Sequence, residues 1–284
     1  MSHEKRGINM EEIRDFFYHL QGQNALNYHK HAHNDCYEVL QICSGDGVMM
    51  VGDKLYPMQH GALYFISGMD IHCSAPQNTE NYIRNTINIS EDYVNQLAKQ
   101  MECSQLVEEL FLRDGGTCIQ LGEREVELVD TEFIKIEGNQ KKNTVYSKLN
   151  ISLSLFKILQ LAHTSKDRRT SPITSQVSTV MDYINRNIEK KLTLDSISKE
   201  VHISKFYLCH IFKETTQMTV QDYILLRRIS IAKKSLLHTQ LPLSEIALAC
   251  GFSSFSYFSK VFREYEGVSP STFRKQYALQ HTQI

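Results

Sequence analysis

Two hydrophobic periods divide the chain. From Tyr28 to about Ile89, short apolar stretches recur between turn signals: Tyr37 to Cys43, Val48 to Val51, Leu55 to Met58 and Ala62 to Ile66, separated by Ser44-Gly45-Asp46-Gly47, Gly52-Asp53-Lys54 and His60-Gly61. Runs this short, punctuated by glycine and aspartate, predict the strands of a β-sandwich or small barrel. Past Ser90 the spacing lengthens to that of a helix. Ser90 is placed to cap a helix over Glu91 to Met101, with Val94, Leu97 and Met101 on one face. Glu123 to Ile136 groups Val126, Val129, Phe133 and Ile136 in the same way, and Val145 to Ala162 groups Val145, Leu149, Phe156 and Leu159.

The C-terminal part of the chain repeats itself. Leu194, Ile197 and Val201 lie at helical spacing, followed by Ile203, Ser204, Leu208, Ile211 and Phe212; Leu243, Ile246 and Cys250 are followed by Phe252, Ser254, Phe258, Val261 and Phe262. Ile246 lies 49 residues after Ile197, and Phe262 lies 50 after Phe212, so the second turn holds one extra residue. Each copy is a pair of helices joined by a short turn. Ser204 and Ser254 cap the second helix of each pair, and Gly251 permits a left-handed end to the helix before it. Thr219 and Ser269, then Tyr223 and Phe273, continue the repeat at an offset of 50. Thr219 with Asp222 forms a capping-box pattern, and Pro270 takes a first helical position. Between the copies, Val220 to Leu237 is one long helix whose Tyr223, Ile229, Ala232 and Leu236 can face both pairs. One position departs from the repeat: Gln217 matches Gly267, so a left-handed helix end there costs on the order of 1 kcal/mol, or the turn differs.

Charge follows the same division. From Ile173 onward 14 Lys and Arg stand against 9 Asp and Glu, a net of +5, which leaves −6 for the residues before it within the total of −1. A basic part tied to an acidic one suits a polyanionic partner for the first and not for the second. Thr164 to Ser171 is polar, carries three basic residues and ends at Pro172, which reads as a linker. The predicted fold class is therefore α+β in two domains: a β-sandwich or barrel with helices over residues 1–165, a linker over 166–174, and an all-α domain over 175–284 in which a long helix joins the two helix pairs. A hydrophobic content of 42% over 284 residues supports a core in each domain. No run of about 18 apolar residues appears and Met1 to Met10 is polar, so neither a membrane span nor a signal peptide is expected, and the cytoplasm is the expected location. The 7 scattered cysteines lack any Cys-x-x-Cys pair and read as reduced thiols, mostly filling the core.

The run Ile246-Ala247, Gly251-Phe252, Phe258-Ser259-Lys260-Val261-Phe262-Arg263, Gly267, Ser269-Pro270 and Arg274 closely resembles the signature of the AraC/XylS family of transcription regulators, and the resemblance covers Ser175 to Tyr277. The plainer alternative is a helical repeat that stacks and binds nothing; agreement in both residue type and spacing argues against it. The resemblance implies two helix-turn-helix units whose second helices enter successive major-groove segments of promoter DNA, about 34 Å apart. On those helices the residues not needed for the core are Lys205, Phe206, Cys209 and His210, with Tyr207 toward the backbone, and Phe255, Ser256, Ser259 and Lys260. Lys260 suits a guanine edge, Ser256 and Ser259 suit bases or phosphates, and Phe206 or Phe255 suits a thymine methyl. Arg227, Arg228, Lys213 and Arg263 are placed as phosphate contacts. The first of these helices lacks Arg, Asn and Gln, the usual bidentate readers, so base reading is expected to be shared unequally.

In the N-terminal domain His31-x-His33, Glu38 and Gly45 match the first cupin motif in spacing, and Gly61 and His72 resemble the second. His31 and His33 share a strand face, and His72 can reach the same interior from a later strand. Three uses stay open. Three imidazoles and a carboxylate suit a divalent metal such as Zn, Fe, Mn or Ni; the same groups would hydrogen-bond a small polar effector such as a sugar; or they bond one another and water. Regulators of the AraC family often carry a cupin-like sensor ahead of the DNA-binding domain. The resemblance thus implies a carbohydrate-type effector held by His31, His33, Glu38 and His72, a homodimer formed through the N-terminal domain, and RNA polymerase as a partner. The alternative from another class is a metal-dependent cupin enzyme, a sugar isomerase or dioxygenase, with an appended helical domain; the lack of a further acid-base pair at distinctive spacing counts against it.

Overall fold

The computed structural model describes residues 13–22, 36–113, 115–142 and 144–281. β1 (Ile13–Gln21) comes first; consecutive Phe16, Phe17 and Tyr18 and two register shifts break any two-residue alternation, so no pattern announced it. β2 (Cys36–Ser44), β3 (Gly47–Val51), β4 (Lys54–Met58) and β5 (Ala62–Ser67) occupy the predicted apolar stretches. With β6 (His72–Pro76), β7 (Ile83–Ser90) and the four-residue β8 (Thr117–Gln120) they build two antiparallel sheets, ordered β1-β7-β2-β5-β8 and β4-β3-β6.

Alternation along the strands makes two cores out of one sheet. Tyr37 and Val39 of β2, Leu63 and Phe65 of β5, and Ile87 and Ile89 of β7 turn to one side, where α1 (Glu91–Gln100), α2 (Ser104–Phe111), α3 (Glu123–Gln140) and α4 (Val145–Thr164) cover them. Leu40, Ile42, Tyr64 and Ile66 turn the other way and meet Met49, Val51, Tyr56 and Met58 of the smaller sheet. β2 is thus buried on both faces, which is why its sequence is apolar throughout. Each fully buried side chain of the Phe65 or Ile87 kind contributes roughly 1.5–3 kcal/mol. The grouping of Val145 and Leu149 with Phe156 and Leu159 fails: the buried face of α4 runs through Ser147, Ile151, Leu155, Ile158, Leu159 and Ala162. Phe156 and Leu159 join the core, whereas Val145 and Tyr146 are 81% and 79% exposed and Leu149 and Leu153 lie exposed on the far face of the same helix.

The helical domain comprises α5 (Gln176–Arg186), α6 (Leu194–Glu200), α7 (Lys205–Thr216), α8 (Val220–His238), α9 (Leu243–Ala249), α10 (Phe255–Glu266) and α11 (Pro270–His281). α8 joins two cores as predicted. Its Val220, Tyr223 and Ile224 belong to the first unit, while Ile229, Ala232 and Leu236 belong to the second. The first of these cores also includes Met50, Leu55 and Cys73, so the outer face of the three-stranded sheet is packed against the helical domain.

The segment read as a linker is strapped down. After a 3-10 turn at Lys166–Arg168, Arg169 bridges Ile119, the Thr170 N–H donates to Cys118 O at 2.9 Å and the Ile173 N–H to Leu55 O at 2.6 Å. Arg168 and Arg169 pair with Glu125 and Glu109 at 3.2 and 3.7 Å. Basic residues that suggested a solvated tether instead meet the acidic surface of the first domain.

Candidate nucleic-acid interface and interior polar site

Both helix-turn-helix turns are set by capping. Ser204 Oγ accepts from the Tyr207 N–H and Ser254 Oγ from the Tyr257 N–H, each at 3.2 Å. Gly251 takes φ +84°, and its counterpart 49 residues earlier, His202, takes φ +56° despite its side chain. Gln217 ends α7 at φ +57° as Gly267 ends α10 at +73°. The turn does not differ, and the Gln217 side chain caps it further by donating Nε2–H to Glu214 O at 3.1 Å. The two units therefore share left-handed residues at matching helix ends, and the first holds two side chains in a conformation that costs about 1–2 kcal/mol each.

Leu208 and Phe212 anchor α7, and Phe258, Val261 and Phe262 anchor α10. The opposite surface of α7 presents Lys205, Phe206, Tyr207, Cys209, His210 and Lys213, with Phe206 85% exposed. On α10 Phe255, Ser256, Lys260 and Arg263 are exposed and Ser259 is half-buried. Tyr257 is exposed with them; its signal was the offset of 50 from Tyr207. Lys205 pairs with Asp195 at 2.8 Å and His210 lies 3.8 Å from Glu214, but all four side chains are solvated, so these pairs are weak and readily exchanged for phosphate. Neither helix has an acidic residue in its first turn, which leaves the positive helix end open to an anion.

Arg227 and Arg228, expected as phosphate contacts, are both half-buried and engaged within the domain. Arg227 Nε donates to Asn185 Oδ1 at 2.9 Å, and Asn185 in turn donates to the Tyr223 hydroxyl at 3.0 Å. Arg228 donates to the carbonyls of Ile188 and Lys190 at 3.0 and 2.7 Å and lies over the Phe252 ring. Arg227 thus ties α8 to α5, and Arg228 ties it to the loop after α5. Sequence reasoning also missed Lys233, which forms a buried pair with Glu266 at 3.3 Å between α8 and α10. Its signal was its place on the apolar stripe one turn after Ile229.

His31 and His33 lie outside the described residues. The other two members of the predicted effector quartet do meet: His72 Nε2 lies 2.9 Å from Glu38 Oε2, both side chains buried between the sheets. Burial opposes charge on the His72 ring, yet Glu38 outweighs it and holds the pKa above the ordinary histidine value. The other ring nitrogen, Nδ1, contacts Asp70 O at 3.1 Å. Among the described residues, the three-residue group with metal-ligand geometry is His19, Cys43 and Asp130, none of which belongs to the quartet. The turn bearing Asp70 reaches the helical domain: Asp70 pairs with Lys234 at 3.2 Å, and Ser230 Oγ donates to Met69 O at 2.8 Å. No helix among the described residues is long and apolar enough to cross a membrane.

Two capped helix pairs on one rigid connecting helix, each offering a solvated helix face, define a helix-turn-helix DNA-binding protein. A family model described as a helix-turn-helix domain matches residues 197–276. The uncharacterized HTH-type transcriptional regulator YdiP of Escherichia coli is 34% identical over 101 residues, which are 36% of this chain and 33% of that relative. The HTH-type transcriptional activator RhaR of Pectobacterium atrosepticum is 26% identical over 256 residues, 86% of each chain. Among solved structures, ToxT of Vibrio cholerae superposes with a TM-score of 0.37 at 17% identity, covering 93% of this chain and 98% of that one. The C-terminal part carries a helix-turn-helix domain, and the chain is a DNA-binding transcription regulator.

Proposed function

We propose that this regulator reads promoter DNA with α7 and α10 while a small polar effector, held in a cupin-like interior between the two sheets, sets the placement of the helical domain. The observation that carries the reading is the pair of solvated faces at matching positions, Lys205 to Lys213 on α7 and Phe255 to Arg263 on α10. α10 carries the better base-reading chemistry, with Lys260 toward a guanine edge. The 86% overlap with RhaR supports a chain that acts on transcription as a whole, with RNA polymerase as partner and the cytoplasm as its location. An effector beside Glu38 and His72 is one turn of chain from the Met69 and Asp70 contacts to α8, so a ligand that favours one arrangement of that turn biases the helical domain. Lys260→Ala should weaken binding to a selected operator by about 1–3 kcal/mol and relax its sequence preference, as read by footprinting and competition at low salt. No protection by the wild-type chain would sink the reading; equal loss on operator and random DNA would assign Lys260 to phosphate alone.

The exposed apolar stripe of Val145, Tyr146, Leu149 and Leu153 on α4 supports a homodimer formed by two such helices. Leu149→Asp with Leu153→Asp should shift the chain from dimer to monomer in light scattering while its circular dichroism stays that of the folded wild type, and should remove the concentration dependence of its melting temperature. An unchanged mass would place the interface elsewhere.

A further inference from the structure

The interior between the sheets, taken as the effector pocket on the reading above, carries an unusual set of polar groups. Arg84, Thr86 and Asn88 occupy alternate positions of β7, opposite Ile42, Leu40 and Glu38 of β2, so all three project from the face that meets the smaller sheet. They are buried, with Arg84 only 2% exposed. Buried polar groups are ordinarily hydrogen-bonded, and a buried charge is ordinarily paired. Arg84 Nε and Nη2, Thr86 Oγ1 and Asn88 Nδ2 have no such partner among the described residues. Among the described residues no carboxylate forms an ion pair with Arg84, and Glu38 Oε2 in the same interior pairs with His72.

On β7 the patch is rich in donors, and the Glu38 carboxylate opposite Asn88 on β2 is the acceptor group that pairs with His72. Nε and Nη2 form the side edge of the guanidinium, whose two parallel N–H bonds match the two oxygens of a carboxylate or phosphate. Asn88 Nδ2 is also a donor, and the Thr86 hydroxyl can donate. A surface of donors around a buried cation asks for acceptors and a negative charge. Neutral sugar hydroxyls would bring donors as well and leave the Arg84 charge uncompensated.

We propose that the effector is an anion, a small carboxylate- or phosphate-bearing molecule such as an acidic sugar, whose acid group is gripped edge-on by Arg84 and completed by Thr86 and Asn88. The charge then serves recognition and, among the described residues, forms no ion pair without a ligand. Removing it should not destabilise the empty protein, because an unpaired buried charge is costly.

The test uses the full chain and five probes at an ionic strength held constant with chloride: acetate, inorganic phosphate, D-glucuronate, D-glucose 6-phosphate and D-glucose. Melting temperature and calorimetry read binding, and the Arg84 Nε–H resonance reports contact in the wild type. Anions of at least one class should raise the melting temperature and move that resonance, and glucose should do neither. Preference between glucuronate and glucose 6-phosphate identifies the acid group. Arg84→Gln should melt no lower than the wild type when empty and bind the preferred anion on the order of tenfold more weakly or worse. Three results would overturn the proposal: no anion moving the Arg84 resonance, glucose binding as tightly as glucuronate, or undiminished binding by a folded Arg84→Gln. Glucose binding alone would leave the effector pocket standing and sink only its anionic character, and protection of operator DNA tests the regulator reading separately. Should Arg84→Gln fail to fold, the wild-type resonance still decides.

Discussion

Glu266→Gln is expected to lower the stability of the helical domain by about 3–5 kcal/mol, enough to unfold it well before the sheets. The Lys233 and Glu266 side chains are only 3% and 2% exposed and lie 3.3 Å apart. Breaking such a pair on one side leaves the other charge in a medium that cannot solvate it. Burial already holds Lys233 below the usual lysine pKa even though Glu266 pushes the other way. Without the carboxylate, the weaker pull of Asp70 and Glu91 is set against the burial of Lys233, which favours its neutral form further. The sign of the pH dependence follows from that depressed value. The unfolded chain keeps its lysine proton up to the ordinary lysine range, so the deficit of the variant should shrink as pH rises from about 7 towards that range. Lys233→Met combined with Glu266→Leu should recover most of the loss, since two apolar side chains fill the space without desolvating a charge. Urea unfolding of the three proteins at two pH values measures all of this. A single variant as stable as the wild type would mean that water reaches the pair.

The repeat shows which parts of this protein a sequence can disclose. Caps act within three residues and helix faces within four, so Ser204, Ser254 and Thr219 could be assigned from spacing alone, and the structure places each where its oxygen accepts from the third following N–H. Left-handed positions were legible at glycine but not at His202, where turn geometry overrides residue preference. Partners separated by long stretches of chain left no local trace. Arg227 and Arg228 read as free cations because Asn185 and Ile188, which hold them, lie about forty residues away. The same holds for the linker, whose contacts to Cys118 and Leu55 come from two different strands. Of the interior site, Glu38 and His72 could be read from a motif, whereas Arg84 could not. A charged residue alternating with Thr86 and Asn88 looks like the solvated face of a strand until the second sheet is known to cover it.

Gly251→Ala separates a local preference from a packing demand, because the repeat supplies its own control. Gly251 and Gly267 both have positive φ, at +84° and +73°, so a Cβ at either position carries the left-handed cost of roughly 1–2 kcal/mol. Around Gly267 a Cβ would meet nothing within 4 Å. At Gly251 it would lie 2.3 Å from the Ile188 carbonyl oxygen and 2.9 Å from the Arg228 guanidinium. That carbonyl accepts from Arg228 Nε, and the guanidinium covers Phe252, so the turn of the second unit, the loop after α5 and α8 meet at one point. Backbone must move to admit the methyl group, which adds about 1–3 kcal/mol of overpacking and releases the Arg228 bonds. Gly267→Ala should therefore cost only the first amount, with DNA binding retained. Gly251→Ala should cost roughly 3 kcal/mol or more and abolish operator binding, because the seat of α10 relative to α8 is lost. Equal destabilisation of the two variants in thermal unfolding would show that conformation alone selects glycine at both turns, and that the contact with Ile188 yields.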